Sequence, residues 1–502
     1  MSALMHARSV GRRSDPAPVI AGAAAIVGVL CVIGVVAFDT GKVLPVATAI
    51  GIAVFATVVA RPVVGLYLVL AVTPLLAGID RGAVVPALRP SEAVAGLVVA
   101  AIITRAIWIG IARGWRRPEL GSLDVAVVLL AVAGSFIPVV WLAARARPIE
   151  ADDVLYGLTM WKFVALFALA RSAVTTEREI AWCLRISLAV AAIVAVIGIM
   201  QALFVPGVTS FLSTYYAPYG NVQSVLNGRG GSTLSLPVAA ADLLTFNIAI
   251  AIGYLHRAGT RRSSFGLISL IVLLLIGVMA AGEFSGMLGA VVGLIVASLL
   301  VRRGRVLAYA MPALLIGSFA LRSVIATRLE GFRSVSGLPV SWSGRIHNLT
   351  TYFWPQLSSG NQFLLGVRPA ARVPVASQAT GYVWIESGYM WLLWSGGIPL
   401  LLAFLGFVVA GVRRGLALLR GRGGPVAVVG LACTVALIVV AALMPLDPHL
   451  TYRGSAELLF LLLGLSASRP ARWSIGIGRG SGRQEPFPPA DGLTANAIGN
   501  TT

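Results

Sequence analysis

The chain has 502 residues, of which 58% are hydrophobic and 12% charged, and its mean hydropathy is +0.90. A soluble globular protein carries about 25% charged residues, so this composition excludes a soluble enzyme, a disordered protein and a fibrous protein. Lysine and arginine outnumber aspartate and glutamate by 39 to 19, a net charge of +20. Because the arginines stand between long apolar runs, we interpret them as charges that orient membrane helices, and we expect no nucleic-acid partner.

Apolar runs recur along almost the whole chain, and about 20 such residues suffice for a helix to cross the ~30 Å hydrocarbon core of a bilayer. They predict an all-α integral membrane protein with about 14 transmembrane helices. The runs lie at 18–38, 43–60, 62–79, 92–112, 123–142, 154–170, 180–204, 236–255, 264–281, 283–301, 305–322, 386–411, 425–443 and 452–467.

The basic residues divide unequally between the two sets of links. With the N-terminus in the cytoplasm, the cytoplasmic side carries nineteen of them and the short outer links carry six. The positive-inside rule therefore favours a multi-pass protein of the cytoplasmic (inner) membrane with both termini inside. Residues 1–17 form an N-terminal tail, 18–467 the transmembrane domain, and the Gly-, Pro- and Ser-rich segment 468–502 a disordered cytoplasmic tail.

Cysteine and histidine give no sign of a disulfide framework or a metal site. Cys31, Cys183 and Cys433 all lie inside apolar runs, and only four histidines occur, without metal-ligand spacing. We expect no metal and no cofactor.

The first long outer link, 205–235, contains an arginine between glycines, Asn227-Gly228-Arg229-Gly230-Gly231. Such a segment could bring a guanidinium and bare backbone N–H groups to an anion together. The alternative is a flexible turn with a solvated arginine. Asp242 follows one turn inside the next span.

The second long outer link, 323–385, is rich in arginine and aromatic residues. After Ser343-Gly344-Arg345, three apolar residues recur at helical spacing: Ile346, Leu349 and Phe353. They predict a short amphipathic helix on the membrane surface that begins near Arg345; the alternative is a plain surface anchor. Two more arginines follow, Arg368 and Arg372.

Glu386 stands where this loop enters a span, and an ionisable residue at membrane depth is a candidate for function. A snorkelling carboxylate or a structural ion pair is the alternative. Other titratable residues are expected near the outer face, where each could take part in function or have an equally plausible structural role. They are Asp242, Glu283 and, in the last outer link, Asp447, His449, Tyr452 and Arg453.

In their order along the chain, these elements resemble the O-antigen ligase and O-antigen polymerase superfamily of bacterial membrane glycosyltransferases. The resemblance covers about residues 180–465. Four short motifs carry it: Arg229 to Pro237, Ser285-Gly286, Ser343 to Arg345 with Leu365-Gly366-Val367, and Glu386 to Tyr389 with Gly397. Ligases usually have histidine where this chain has Glu386, which favours a polymerase or a relative with another acceptor.

The resemblance implies a GT-C-like helical fold and metal-independent transfer of a glycan from a polyprenyl diphosphate to a glycan or lipid acceptor. Arginines would bind the diphosphate, and Glu386 would orient or deprotonate the acceptor hydroxyl. The implied diphosphate ligands are Arg229, Arg345, Arg368 and Arg372, with Glu386 and Arg345 as the catalytic pair.

Several other functions stay open at this stage. One is a ligase that moves a finished glycan to a lipid, protein or wall acceptor. In this sequence, only Glu386 separates that interpretation from a polymerase. A transporter or lipid flippase would explain the spans equally well but predicts charges at mid-membrane on broken helices. A non-catalytic scaffold would leave the long arginine-rich loop unexplained. A flippase or a chain-length regulator is a possible partner of a polymerase.

Overall fold

A computed structural model describes residues 43–81, 88–115, 119–218, 221–302, 319, 322, 326, 340–375, 381–421 and 423–470. The expected span at 18–38 and the N-terminal tail lie outside the described residues. So do nearly all of the span at 305–322 and of the C-terminal tail.

The described chain is almost entirely helical. Before the long loop it forms α1 (Val43–Ala60), α2 (Pro62–Leu76), α3 (Pro90–Arg113), α4 (Ser122–Ala144), α5 (Ala151–Ala173), α6 (Glu177–Ala202), α7 (Pro206–Tyr215), α8 (Gln223–Leu226), α9 (Pro237–Arg257), α10 (Arg261–Ala281) and α11 (Phe284–Val301). The loop holds α12 (Val340–Asn348), α13 (Trp354–Ser358), β1 (Arg372–Pro374) and β2 (Tyr382–Trp384), and α14 (Gly388–Arg420), α15 (Pro425–Leu443) and α16 (Ser455–Ala467) follow.

Within these ranges, nine helices are long and apolar enough to cross a membrane: α3, α4, α5, α6, α9, α10, α11, α14 and α15. The chain is therefore an all-α, multi-pass membrane protein. The expected spans at 43–60, 62–79 and 452–467 fall on shorter apolar helices, Thr48–Ala60, Pro62–Leu76 and Ser455–Ala467.

Proline sets the start of several of these helices. Pro62, Pro90, Pro237 and Pro425 each occupy the first turn of a helix, where the missing N–H would have no helical acceptor. At the start of α6, the Glu179 backbone N–H donates to Thr176 Oγ1 at 3.2 Å, and the Glu179 carboxylate accepts from the Thr176 N–H at 2.9 Å.

Contacts between distant links assign the helix ends to two faces of the bundle. At one end Arg368 meets Asp153, and Thr233 accepts from the Gly78 N–H. This end, which carries residues 340–375 and 381–387, is called the loop face below. At the other end Arg171 Nε lies 2.8 Å from Asp124 Oδ1. The helices therefore alternate in direction as successive spans should.

Two helices form the centre of the bundle. In the most apolar stretch of α9 and of α15, 89% and 83% of the residues are buried, against 22% in α3 at the periphery. Gly415 and Gly430 let α14 approach α15, since a Cβ on Gly415 would lie 2.8 Å from the Gly430 carbonyl oxygen. The outer end of this centre supports the site described below.

The expected helix of the long loop is present but starts earlier than its sequence suggested. It already includes Val340, the first described residue of this segment, so that Arg345 lies in the last turn of α12. A π-helical stretch, Leu349–Phe353, continues it into α13. Phe353 is fully buried and packs edge-on against Trp394 of α14, with ring centroids 5.1 Å apart. The helical segment is thus anchored on the bundle by its own aromatic side chain.

A break in α14 receives the second half of the loop. Gly397 has φ 65° and ψ −156°, which only glycine adopts readily. The freed Ile398 N–H donates to the Phe363 carbonyl at 3.1 Å, and the Val367 N–H donates to the Trp394 carbonyl at 2.7 Å. Gly366, at φ 90°, lies against the backbone of Trp394 and Gly396. The break therefore fixes the loop to the helix that follows Glu386.

Candidate functional site

Arg345 and Glu386 come together at the loop face, with Asp447 as a third member. Arg345 Nη1 donates to Asp447 Oδ2 at 3.0 Å and to the Leu446 carbonyl at 3.0 Å. Its Nε lies 3.9 Å from Glu386 Oε2. One edge of the guanidinium is thus held in place, while Nη2 and Nε make no hydrogen bond with the described protein. A planar guanidinium with a free edge suits an anion.

The other side of Asp447 is held by an aromatic hydroxyl. Tyr452 Oη donates to Asp447 Oδ1 at 3.0 Å. The Asp447 carboxylate, only 5% exposed, therefore has both oxygens engaged and serves as a fixed counter-charge to Arg345. Because α15 ends at Leu443 and α16 begins at Ser455, the link between them carries both Asp447 and Tyr452.

The environment of Glu386 suits a proton acceptor. Partial burial raises the pKa of Glu386 above its usual value, and the negative charge of Asp447 raises it further, whereas Arg345 and a hydrogen bond from Asn348 lower it. The side chain remains 38% exposed. A carboxylate whose pKa is raised and which is still open to a ligand is a better general base than an ordinary surface glutamate.

Asp242 and His449 form a buried pair beneath this group. His449 Nδ1 lies 2.7 Å from Asp242 Oδ2, and both side chains are at most 2% exposed. The second ring nitrogen, Nε2, is buried and has no hydrogen-bond partner in the described protein. The His449 ring packs edge-on against Tyr452, with centroids 5.6 Å apart. The pair therefore supports the side chain that holds Asp447.

Arg229 forms an ion pair with Glu283 on the same face. The expectation that bare backbone N–H groups surround this arginine is wrong. The N–H groups of residues 229–232 all donate within the protein: Arg229 to Asn227 Oδ1, Gly230 to the Ala280 carbonyl, Gly231 to the Arg229 carbonyl and Ser232 to Gln201 Oε1. The glycine here serves close packing, since a Cβ on Gly230 would lie 2.6 Å from the Gly198 carbonyl oxygen.

A chain of contacts links the two ion pairs. Glu283 precedes α11, and Gly286 in the first turn of that helix packs against Ala241 of α9. The next residue, Asp242, reaches His449, two positions from Asp447. Arg229 and Arg345 thus lie on the same face of the bundle, and their ion pairs are connected through packed residues that include Gly286 and Ala241.

Arg368 and Arg372 contact a different set of acidic residues, at the start of α5. Arg368 donates to both Asp153 oxygens, at 3.0 and 2.7 Å, and lies 2.9 Å from Glu150. These hydrogen bonds raise the pKa of Arg368. Arg372 pairs with Asp152 and lies over the Tyr382 ring. Both arginines therefore have structural partners, although β1 pairs Arg372 with Trp384, only two residues from Glu386.

Arg453, the last expected auxiliary, lies beside other arginines and acidic residues. Its Nη1 is 3.8 Å from Asp80 Oδ1. Nearby, Glu92 binds both Arg81 and Arg89 at 3.1 Å. Burial, followed by the charge of Arg453, lowers the pKa of Arg89. Within the part of the chain that the structure describes, no hydrogen bond or ion pair joins this group to Arg345.

Sequence reasoning missed two groups of residues. The first is the acidic run at the start of α5, where Glu150 precedes the helix and Asp152 and Asp153 lie in its first turn. Acidic residues at a helix start are the only local signal that this run offers. Lys162 forms an ion pair with Glu457 at 2.6 Å inside the bundle. Its partner is 295 positions away, so that no local pattern could reveal the pair.

Metal-ligand geometry and sequence comparison add little to this picture. Among the described residues, no three or more His, Cys, Asp or Glu side chains are grouped so as to hold a metal ion. No protein-family model matches the chain, and no curated protein sequence is significantly similar to it.

Proposed function

We propose that this protein is a membrane glycosyltransferase that polymerises polyprenyl-diphosphate-linked oligosaccharide repeat units at the outer face of the cytoplasmic membrane. The observation that carries the proposal is the group formed by Arg345, Asp447 and Glu386. It joins a positioned guanidinium with a free edge to a carboxylate of raised pKa, at the mouth of a helical bundle. The order of the sequence motifs supports the same chemistry.

In the proposed reaction, the oxygen of the acceptor hydroxyl attacks the anomeric carbon of the donor sugar. The bond between that carbon and the diphosphate oxygen breaks, and its electron pair leaves with the diphosphate. Glu386 takes the hydroxyl proton and passes it to solvent. The free edge of Arg345 stabilises the negative charge that develops on the leaving group, which is the larger contribution in such reactions.

Arg229 is the second diphosphate ligand in this proposal. A donor phosphate would replace Glu283 at its guanidinium, so that one arginine meets each end of the diphosphate. In this proposal Asp242 and His449 fix the link that carries Asp447. Arg368 and Arg372 act through structure, because they bind acidic residues at the start of α5, none of which belongs to the Arg345 group.

Orientation follows from the distribution of arginine. Arg113, Arg171, Arg257 and Arg414 lie at the end of the bundle opposite the loop face. The positive-inside rule places that end in the cytoplasm and the Arg345 group outside. The proposed donor reaches this site through the bilayer, on a lipid carrier, after a flippase has moved it across.

A gel of lipid-linked glycans tests the proposal. Cells that lack the protein are complemented with wild type or with Arg345→Ala. Single repeat units should accumulate in the deletion strain and in the variant, and only wild type should restore the ladder of longer chains. Full-length polymer that stays on its carrier would show a ligase instead. Glycans identical in all three strains would refute both.

Transport is the second candidate, and two observations favour it. Lys162 and Glu457 form an ion pair within the bundle, and α14 is broken at Gly397. The backbone groups freed at that break, however, bond to the loop instead of lining a cavity. Lys162→Met with Glu457→Gln, which removes both charges, should leave the glycan ladder unchanged; loss of lipid movement with normal polymerisation in vitro would favour a flippase.

A further inference from the structure

A polar cleft opens on the loop face apart from the Arg345 group. Its volume is about 560 Å³, which lies in the range of small-molecule sites. One wall is the link between α4 and α5, including Arg147 and Glu150. The other wall is the loop around α13, including Gln356, Ser359 and Gln362. None of these residues takes part in the proposed transfer step.

Most of these polar side chains have no partner in the described protein. Arg147, Ser359 and Gln362 make no side-chain hydrogen bond there. Gln356 uses only its amide nitrogen, which donates to the Tyr352 carbonyl at 3.0 Å, and leaves its amide oxygen free. Arg147, Gln356 and Ser359 are exposed, and Gln362 is half-buried. The cleft thus presents a set of free donors and acceptors contributed by two separate segments.

We propose that this cleft is an oligosaccharide-binding subsite that holds the distal sugars of the growing glycan. Sugar hydroxyls both donate and accept, and amide, hydroxyl and guanidinium groups match them. The inference rests on the proposed function, which it extends by assigning a place for the glycan beyond the reacting unit.

The charges in the cleft favour a glycan over an anionic lipid headgroup. Three arginines line it, but Arg368 is neutralised by Asp153 and Glu150. Arg145 donates to the Val367 carbonyl at 2.7 Å and lies over the Trp141 ring. Arg145 and Arg147 keep their positive charge, but Arg145 is held in place by these neutral partners and Arg147 is exposed. With Arg368, Glu150 and Asp153 the charges around the cleft are three positive and two negative, so that a headgroup phosphate would find little net attraction, whereas an oligosaccharide would find several neutral hydrogen-bonding groups.

The distance to the proposed transfer site suits a bound chain. Gln356 follows Arg345 by eleven residues along a continuous helical segment, so that their Cα atoms are at most about 17 Å apart. Arg368, at the edge of the cleft, also lies on the stretch of loop that leads through β1 and β2 to Glu386. A short oligosaccharide can bridge this separation, and its retention in the cleft would favour repeated extension of the same chain.

The test measures binding to the purified full-length protein in nanodiscs. The probe is the oligosaccharide fraction released by mild acid from the lipid-linked glycans of the same cells. We expect the double variant Gln356→Ala/Gln362→Ala, and separately Arg147→Ala, to bind this fraction on the order of tenfold more weakly than wild type. Ser358→Ala is the matched control, because its hydroxyl bonds back to the Trp354 carbonyl and is outside the cleft. It should bind as wild type does.

The glycan gel, run on the same variants, separates the two proposals. Shorter chains in the double variant, together with weaker binding, would support the subsite. Undiminished binding in both cleft variants would refute it while leaving the polymerase proposal standing. Phosphatidylglycerol that co-purifies with wild type but not with Arg147→Ala, without glycan binding, would show a lipid site and also refute the subsite. A deletion strain with unchanged glycans would instead refute the polymerase proposal. In that case, oligosaccharide binding that is lost only in the cleft variants would still show a glycan site.

Discussion

Arg345 and Asp447 are hydrogen-bonded at 3.0 Å although 102 positions separate them in the chain. The arginine lies in the last turn of a loop helix, and the aspartate lies in the link between two helices of the bundle. This contact ties the loop helix to the end of the bundle. It also leaves the second edge of the guanidinium free for a ligand.

The first prediction concerns that guanidinium. Arg345→Ala should lower the rate of glycan transfer by about 10²–10³, because one preorganised donor to the developing charge is lost. Arg345→Lys should recover only part of the rate, since an ammonium lacks the planar fork. The measurement is single-turnover transfer by purified protein. His347→Ala, an exposed change on the same helix, is the control, and equal rates for both alanine variants would contradict the role of Arg345.

The second prediction concerns the pH dependence of transfer. Glu386 acts as a base only when deprotonated, and its pKa is raised by burial and by Asp447. Activity should therefore rise with pH through that raised pKa, and the acid limb should lie at higher pH than for an ordinary glutamate. Glu386→Gln should lose most of the activity, and what remains should lack this limb. A pH–rate profile of wild type and variant checks it; an unchanged limb in the variant would assign the titration to another group.

The third prediction concerns the start of α5. Asp153 is fully buried and accepts two hydrogen bonds from Arg368 and one from the Ala370 N–H. Asp153→Ala leaves the arginine without its main partner and should lower the free energy of unfolding by about 3 kcal/mol. Thermal unfolding in detergent measures the loss. Asp152→Ala, whose pair with Arg372 is more exposed, should cost about 1 kcal/mol or less; the reverse order would refute this ranking.

The fourth prediction concerns the break in α14. A side chain at Gly397 would be forced into a glycine-only conformation and would meet the Leu364 carbonyl oxygen at 2.4 Å. Gly397→Ala should therefore detach the loop from α14 and greatly reduce the yield of folded protein. Gly406→Ala, in the same helix with open space around it, should be neutral or slightly stabilising. Size-exclusion profiles in detergent compare the two, and a monodisperse Gly397→Ala protein of wild-type stability would contradict the prediction.

The sequence predicted the membrane helices well, because their positions depend on one property of the chain, the length of its apolar runs. A long apolar run must form a helix in a bilayer, because every backbone polar group has to be satisfied internally. For this reason nine of the expected spans fall on helices long enough to cross. The helix around Arg345 was also predicted, but it already includes Val340, which lies before the predicted start.

The ion pairs were much harder to predict, because they depend on how the helices pack. Arg368 meets Asp153 across 215 positions, and His449 meets Asp242 across 207. In the sequence, Arg368 looks like an anion ligand, because it is an arginine in a long outer loop. Only the packing of α5 shows that its charge is already balanced. The glycines around Arg229 were equally ambiguous, because a glycine that frees an N–H group and one that permits close packing look the same in sequence.

The pairing of Arg229 with Glu283 and of Arg345 with Asp447 has a consequence for selectivity. Under the proposed function, free phosphate or a soluble sugar nucleotide would meet arginines that are already paired with carboxylates, and at Arg229 it would have to displace Glu283 from dilute solution. A donor confined to the bilayer would arrive at a far higher effective concentration. The two ion pairs would then favour an anion that a membrane anchor brings to the arginines over one that is free in solution.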